Sequence, residues 1–444
     1  MRGDWAGSSP RLGRPFLANK ELLPSPLAPK LVSFQRIAVI DDSVWKELMS
    51  QTFWSDARAR MLLDPNVANL NTGSFGPLPK TVFDYATKLR HRLAEEPMDF
   101  LNREAPPLWW YARERFAEFL GGDPLRLIFT ANVTASINVV AAELRLASPG
   151  EILLTDHEYG AMHWCWERAA QRQGLTLRTF PLPRMPQSPE EIVDAARSAF
   201  SEHTRLFFFS HVLSPTGMVL PARELCAEAR RRGIVTVVDG AHAPAMISVD
   251  LRNLNCDFYG GNCHKWLLAP TGAGFLYLGA GAEDRVQPLQ VSWGWHHERS
   301  QLDERDEFGS TRRLRAFEFE GTRDPCACLA VPEAIEFQHS LGWERIRERN
   351  LELAAYIRDR FSVIKNLCLA TPIHPGLCGY MTAFRLLKQV DPISLRRELW
   401  EQHRIEVPII ERPDCLLVRV SAHFYNTEEE IDRLAEALSK LLPK

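Results

Sequence analysis

The chain has 444 residues, of which 45% are hydrophobic and 25% charged, with a formal net charge of −3. This length and composition predict a globular protein of about two or three domains. The near-neutral charge argues against electrostatic nucleic-acid binding, and no apolar run approaches the roughly 18 residues of a membrane span. Nine scattered cysteines are typical of reduced thiols in a cytoplasmic protein.

The first 40 residues are rich in proline, glycine, serine and arginine and show little apolar periodicity. They are therefore predicted to be a disordered extension, and they lack the compact apolar core of a signal peptide. Residues 41–70 begin with a helical pattern and are predicted to pack, as an N-terminal segment, on the C-terminal domain. The motif N-L-N-T-G-S-F-G-P-L-P over Asn69–Pro79 predicts a loop whose backbone closely approaches another group. Helical patterns follow at residues 79–94 and 108–120.

Between residues 127 and 278, short apolar strands alternate with helical segments. Strands that are apolar on both faces indicate a mostly parallel sheet covered by helices on both sides. We therefore predict an α/β fold whose large domain, at 71–325, is built on seven strands. The strands are predicted at residues 127–130, 152–155, 177–180, 206–210, 234–238, 257–260 and 273–278, with helices at 134–146, 160–172, 190–200 and 223–232.

After about residue 325 the pattern changes to a long helical stretch, residues 327–360, with a break at Gly342. Strands and helices then alternate, which predicts a smaller α+β domain at 326–444. Capping boxes are predicted at Ser188–Glu191, with a proline at the first helical position, and at Thr427–Glu430. The strands of this domain are predicted at residues 382–387 and 416–420, and its later helices at 392–403 and 428–441.

The stretch Val235–Tyr277 contains the main candidate chemical groups. In V-T-V-V-D-G-A-H-A-P, Asp239 follows an apolar strand, and in D-F-Y-G-G-N-C-H-K-W, Lys265 lies between a histidine and a tryptophan. A lysine can form an imine with an aldehyde cofactor, and a carboxylate can keep the ring nitrogen of that cofactor protonated. An amine in apolar surroundings has a lowered pKa, which makes it nucleophilic. A plainer interpretation makes the lysine a surface residue and the aspartate a turn cap.

Three other segments carry candidate ligands, and each has a structural alternative. Backbone amides at Thr130–Thr134, which precede a helix, suit a phosphate or else form an ordinary N-cap. His157, in D-H-E-Y, can stack on a flat ring or simply belong to a loop. Arg419, in V-R-V, can clamp a carboxylate bidentately or face solvent.

Other motifs fail the spacing that their chemistry needs. The G-A-G at Gly272 lacks the third glycine of a dinucleotide-binding loop and leads into a strand. His264 stands where a phosphate-binding P-loop needs glycine. The H-H-E at His296 and the C-A-C at Cys326 lack metal-ligand spacing, so no metal is predicted.

Taken together, these motifs resemble those of class V aminotransferases among the fold-type-I pyridoxal-phosphate enzymes, and within them the isopenicillin N epimerase-like branch. The resemblance runs from about Asn69 to the C-terminal helix, in the family's order. It implies a pyridoxal 5′-phosphate cofactor, a large domain on a seven-stranded, mostly parallel sheet, and a smaller α+β domain. The motifs are L-N-T-G-S-F-G-P-L-P, D-H-E-Y-G-A, S-H-V-L-S-P-T-G, V-D-G-A-H-A-P, D-F-Y-G-G-N-C-H-K-W, G-T-R-D and Y-N-T-E-E-E-I-D-R-L.

The resemblance also implies a role for each matching residue. Lys265 would bond to the cofactor aldehyde and then carry the Cα proton, and Asp239 would hold the ring nitrogen. Thr322 would reach the phosphate from a second subunit, which implies a homodimer with composite active sites. Asn71 and Arg419 would bind an amino-acid-like substrate, Arg419 through its α-carboxylate. The remaining cofactor contacts would come from His242 at the ring oxygen, His157 on the ring face, Ser214 where desulfurases commonly have asparagine, and Val133 (main chain), Thr134, Asn262 and His264 at the phosphate.

The cofactor leaves the reaction open among epimerisation, transamination and C–S cleavage. A cysteine desulfurase needs a loop cysteine upstream of the arginine, but residues 405–414 contain none and Cys378 is too far upstream. Cys415 is predicted to lie inside a strand. The first prediction is therefore an amino-acid epimerase or aminotransferase, with a C–S lyase as the alternative and a non-enzymatic regulator or scaffold as a further one. Substrate choice is predicted to depend on the crevice mouth, at Phe75, Trp293, Trp295 and the charged loop 299–315, which is either a lid or a solvated surface.

Overall fold

The computed structural model describes residues 52–295, 305 and 310–443. The extension predicted at 1–40 and most of the loop predicted at 299–315 lie outside these ranges. No helix within the described ranges combines the length and the apolar character needed to cross a bilayer.

A seven-stranded sheet forms the centre of the fold, as predicted. Its strands are β1 (Leu127–Thr130), β2 (Glu151–Thr155), β3 (Thr176–Phe180), β4 (Thr204–Ser210), β5 (Val235–Gly240), β6 (Phe258–Asn262) and β7 (Gly274–Leu278). They lie in the order β1-β7-β6-β5-β4-β2-β3. β7 is antiparallel to both neighbours and the other four pairs are parallel, so the prediction of a mostly parallel sheet is confirmed.

Both faces of this sheet are buried, because alternate side chains of each strand enter separate cores. In β4, Phe207 and Phe209 pack in one core, and Leu206 and Phe208 pack in the other. This explains why the strands are apolar without alternation. The helices of this part of the chain are Lys80–Glu95, Pro97–Asp99, Ala105–Phe119, Val133–Glu143, Gly160–Gln173, Pro189–Ala199, Ala222–Arg230, Leu251–Leu254, Arg312–Glu318, Cys326–Leu329 and Val331–Leu341, with a π-helical turn at Phe100–Glu104.

A smaller antiparallel sheet lies in the C-terminal part of the chain and confirms the predicted α+β region. Its strands are β8 (Leu367–Leu369), β9 (Met381–Leu386), β10 (Ile409–Arg412) and β11 (Cys415–Ser421), in the order β10-β11-β9-β8. One face packs against helices, where Phe384 and Val418 meet Leu353 and Leu434. These helices are Trp343–Ser362, Pro392–Glu401 and Glu428–Leu441. A short parallel pair, Ala68–Asn69 with Ile405–Glu406, joins an earlier segment to this region.

The two predicted capping boxes have different outcomes. The Thr427 side chain accepts the N–H of Glu430, whose carboxylate accepts the N–H of Thr427, so this box is confirmed. The Ser188 side chain caps no helix N–H, so the other prediction is wrong. There the carboxylate of Glu191 reaches one residue further back and accepts the N–H of Gln187 at 2.9 Å. The proline predicted to begin this helix does so.

Candidate active site

The candidate residues meet at the carboxyl ends of the central parallel strands. Ser210, the last residue of β4, pairs in register with Asp239 of β5. Lys265 lies in the turn that follows β6, the neighbour of β5. Because parallel strands end at the same edge of a sheet, these groups border one crevice, which is where α/β sheets bind ligands.

Asp239 is a buried carboxylate near the end of an apolar strand. Its Oδ1 accepts the N–H of Ala241 at 2.8 Å. Burial raises the pKa of Asp239, while this hydrogen bond and the charge of Lys265 act in the opposite direction. A buried carboxylate is costly unless a cation pairs with it, so the site suits a protonated ring nitrogen.

Lys265 and His242 form the central pair of the crevice. Lys265 Nζ lies 3.2 Å from His242 Nε2. Burial, reinforced by the charge of Arg419, lowers the pKa of Lys265 to about 7, although Asp239 opposes this shift. Burial and the charges of Lys265 and Arg419 hold the pKa of His242 well below its usual range, so its imidazole is neutral. Lys265 is therefore available at neutral pH as a nucleophile and proton carrier.

Of the five residues predicted to bind phosphate, four would come from the same subunit, and two of these contact each other. Asn262 Oδ1 accepts the Val133 N–H at 2.9 Å, at the start of the helix Val133–Glu143. Thr134 is exposed in the first turn of that helix. His264 is buried and stacks on Phe75, with 5.8 Å between ring centroids. Burial lowers the pKa of His264 to about 4, so its ring is also neutral.

His157 is buried in the loop after β2, and Asp156 fixes its orientation. His157 Nδ1 donates to Asp156 Oδ1 at 2.7 Å, and the same oxygen accepts the N–H of Leu182 at 3.0 Å. Although burial acts against it, these two hydrogen bonds lower the pKa of Asp156. The carboxylate thus determines which ring nitrogen of His157 carries the proton and leaves Nε2 directed away from it.

Arg419 is 3% exposed and crosses from β11 to the large sheet. Its Nη1 donates to the carbonyl and the hydroxyl oxygen of Ser214, at 2.8 and 3.1 Å. Its Nη2 donates to Asn71 Oδ1 at 3.2 Å and to Ser74 Oγ at 3.3 Å, and Asn71 is held by Glu406 Oε1 at 3.0 Å. Burial lowers the pKa of Arg419 to about 10, which leaves it charged at neutral pH. A buried guanidinium with neutral partners is suited to binding a carboxylate.

Thr322 is not joined to the other candidate residues within the described part of the chain. It is exposed in the turn before the helix Cys326–Leu329. Phe75, Trp293 and Trp295, predicted at the crevice mouth, are also exposed. Their part in substrate choice stays a prediction.

Sequence reasoning missed Glu158, which lies among the same strand ends. Its carboxylate accepts the Ser210 hydroxyl at 2.5 Å and the Thr155 hydroxyl at 2.6 Å. Burial raises the pKa of Glu158 to about 7, although both hydroxyl bonds favour its charged form; the nearby Asp239 adds to the rise. The signal in the sequence was a carboxylate placed three residues after a buried strand, in D-H-E-Y.

Three buried nitrogens of the crevice accept or donate no hydrogen bond within the described part of the chain, namely His242 Nδ1, His264 Nδ1 and Arg419 Nε. Buried polar atoms nearly always have partners. Pyridoxal 5′-phosphate carries a ring oxygen and a phosphate, and an amino-acid substrate carries a carboxylate. Asp239 matches the ring nitrogen, and Lys265 matches the aldehyde. The residues present therefore fit this cofactor and a carboxylate-bearing substrate.

Comparison with known proteins gives the same assignment. The family model described as aminotransferase class-V matches residues 78–434. Isopenicillin N epimerase of Amycolatopsis lactamdurans is 56% identical, over 88% of this chain and 100% of that protein. Its counterpart in Streptomyces clavuligerus is 55% identical, over 88% of this chain and 99% of that protein.

Among solved structures, the complex of the cystine C–S lyase C-DES with cysteine persulfide superimposes with a TM-score of 0.74 at 25% identity, over 85% of this chain and 99% of that one. The structural likeness supports the fold, and the family match includes Asp239, His242, Lys265 and Arg419. The chain belongs to the class-V aminotransferase family and is a pyridoxal-phosphate-dependent enzyme that acts at the α-carbon of an amino-acid-type substrate.

Proposed function

We propose that this enzyme inverts the α-carbon of the amino-acid side chain of isopenicillin N, or of a closely similar substrate. The observation that carries the proposal is the 55–56% identity with two isopenicillin N epimerases along nearly their whole length. Proteins named as L-cysteine desulfhydrases are only 28% identical. Lys265, His242 and Arg419 fit this reaction, because they combine a proton carrier with an anchor for an α-carboxylate. The sequence identity selects it among the reactions that these groups allow.

The bound cofactor supplies an electron sink for the bond that breaks at the α-carbon. Asp239 would keep the ring nitrogen protonated, His242 would donate to the ring oxygen, and His157 would cover the ring face. Arg419 would grip the α-carboxylate, and Asn71 would hold the guanidinium in place. Lys265 would then remove the α-proton, since its pKa of about 7 allows it to accept a proton near neutrality. Inversion then requires that a proton return to the opposite face of the α-carbon.

The position of Cys415 argues against sulfur transfer through a cysteine persulfide. Cys415 is the first residue of β11 rather than part of a mobile loop. Burial and the neighbouring Asp414 raise the pKa of its thiol, which lowers the fraction present as the nucleophilic thiolate.

We further propose a cytoplasmic homodimer in which Thr322 completes the phosphate site of the partner subunit. The exposure of Thr322 supports this arrangement. The nine free cysteines fit a reducing compartment. Light scattering together with cofactor titration tests the dimer. Thr322→Ala should weaken cofactor affinity a few-fold, while the molar mass measured by light scattering stays that of a dimer.

The test of the reaction is incubation of the holoenzyme with isopenicillin N in D₂O, followed by chiral and mass analysis. We expect the α-epimer, with deuterium at the α-carbon. Keto acid as the main product would show that the enzyme is an aminotransferase instead of an epimerase. Pyruvate and ammonia from a cysteine conjugate, with isopenicillin N unchanged, would replace it by a C–S lyase.

A further inference from the structure

The face of the smaller sheet that points away from its own helices carries three arginines. Along β11, Val418 and Val420 enter the helix-covered core, so Cys415 and Arg419 point to the opposite face. Residues directly opposite in an antiparallel pair share a face. Arg412 is opposite Cys415.

The third arginine joins this face through the other neighbour of β11. Arg385 of β9 is opposite Leu417. Leu417 lies two residues before Arg419 in β11, so both point to the same face of the sheet. Arg385, Arg412 and Arg419 therefore belong to one face, which we call the arginine face.

The arginine face is turned to the crevice at both ends. Arg419 contacts Ser214, as described above. Arg412 Nη2 donates to the main-chain oxygen of Asp156 at 3.2 Å, and Asp156 is the residue that orients His157. The side chain of Arg412 is only 13% exposed, and this contact places its guanidinium beside the loop that carries His157.

The two arginines are too far apart to grip one small carboxylate together. Cys415 and Arg419 are four residues apart in an extended strand, so the backbone positions of Arg412 and Arg419 are separated by about 14 Å. An amino acid held at Arg419 by its α-carboxylate reaches the neighbourhood of Arg412 only through a long side chain.

The positive charge near Arg412 exceeds the negative charge that the chain provides there. Arg412 Nε and Arg184 Nη2 each lie 3.5 Å from the carboxylate of Asp414. Arg385 Nη2 donates to the main-chain oxygen of the same residue at 3.1 Å. Three guanidinium groups thus lie beside two carboxylates, those of Asp414 and Asp156. Both contacts to the Asp414 carboxylate are longer than the 2.7–2.9 Å or so of a strong charged hydrogen bond.

We propose that Arg412, assisted by Arg385, binds a second carboxylate at the far end of the substrate side chain. The enzyme then selects long amino acids with a distal carboxylate over short ones and over long ones that are neutral at that end. This inference rests on the proposed function, since isopenicillin N carries a carboxylate on its ring system as well as on its amino-acid chain. It assigns that second carboxylate to a specific part of the crevice.

The kinetic test compares a substrate bearing the distal carboxylate with its methyl ester at that carboxylate, using the holoenzyme. For Arg412→Gln we expect KM for the diacid to rise about tenfold or more, with kcat changed less than about twofold and the ester unaffected. For Arg412→Lys we expect a KM for the diacid between those of wild type and Arg412→Gln, because lysine keeps the positive charge but lacks the paired N–H donors of a guanidinium. Arg396→Gln is the matched control, since Arg396 is exposed and pairs with Glu411 away from this face.

Two outcomes overturn the proposal: an unchanged KM for the diacid, or an equal loss for diacid and ester. A binding measurement keeps this result separate from the epimerase assignment. Calorimetry of diacid and ester with the wild-type holoenzyme should give about tenfold tighter binding of the diacid, whether or not any epimer forms. Equal binding of the two compounds overturns the arginine subsite, and product analysis alone decides the reaction.

Discussion

The crevice is built from two regions that obtain their chemistry in different ways. The large-sheet region supplies Asp239, His242 and Lys265, which are close in sequence, at most 26 positions apart (265 − 239). Burial raises the pKa of the carboxylate and lowers those of the imidazole and the amine. The imidazole and the amine are thereby brought toward their neutral forms, which suits proton transfer near pH 7, whereas Asp239 would pair in its charged form with a protonated ring nitrogen.

The small-sheet region supplies fixed charge instead. Arg385, Arg412 and Arg419 come from three different strands, β9, β10 and β11. Even complete burial leaves Arg419 with a pKa of about 10, so it stays cationic under working conditions. With the proposed roles, the groups that hold the cofactor and move protons are concentrated in one stretch of chain, whereas the groups that bind the substrate are assembled by sheet register.

The largest effect is expected at the proton carrier. Lys265→Ala should lower kcat by at least about 10³-fold, because it removes both the nucleophile and the acid/base. The cofactor should still bind through its phosphate and ring contacts, which equilibrium dialysis measures. The exposed lysine Lys80, changed to alanine, is the control. Full activity in Lys265→Ala would contradict the role of the large-sheet region in proton transfer.

A smaller loss is expected at the carboxylate anchor. Arg419→Gln should lower kcat/KM by roughly 10- to 100-fold, mostly through KM, since it removes a charged bidentate contact. Arg419→Lys should recover part of the loss, and steady-state kinetics with Arg396→Gln as control measures all three. A loss confined to kcat would place Arg419 among the proton-transfer groups, and the two regions would then not differ in their roles.

The buried acid Glu158 gives a prediction on stability. Its folded-state pKa of about 7 is above the ordinary 4.5, so as pH rises Glu158 ionises first in the unfolded chain. The free energy of unfolding of wild type therefore falls between about pH 4.5 and 7. Glu158→Gln removes this loss, on the order of 3 kcal/mol at most. The free energy of unfolding of the variant minus that of wild type should therefore be larger at pH 8 than at pH 5.

Urea unfolding at the two pH values measures this difference. Glu167→Gln, an exposed change on the neighbouring helix, is the matched control. A stability difference that is the same at both pH values would mean that Glu158 is ionised in the folded protein.

The smallest effect is expected at the helix caps, one near each sheet. Thr427→Ala should destabilise the protein by about 1 kcal/mol, because the hydroxyl caps the helix Glu428–Leu441. Ser188→Ala, in the large domain, should cost little, since its side chain caps nothing. Thermal unfolding of both variants measures this, and equal losses would contradict the observed difference between the caps.

Much of the large sheet could be predicted from the sequence, because its strands are short apolar runs separated by helices. β1 has the predicted bounds, Leu127–Thr130, and the other six strands differ only by a residue or two at their ends. The strands β8 and β10 were not predicted. β8 has three residues and β10 has four, and pairing with neighbours, rather than local apolar pattern, defines them.

The cofactor class could be predicted from local motifs alone, since Asp239, His242, His264 and Lys265 belong to two adjacent motifs whose order along the chain is informative. Only the tertiary structure placed Glu158 against Ser210, 52 positions away, and Arg412 against Asp156, 256 positions away. The physical reason is that burial, which shifts the pKa values, and sheet register, which selects the arginines facing the crevice, are properties of packed elements and not of any one segment.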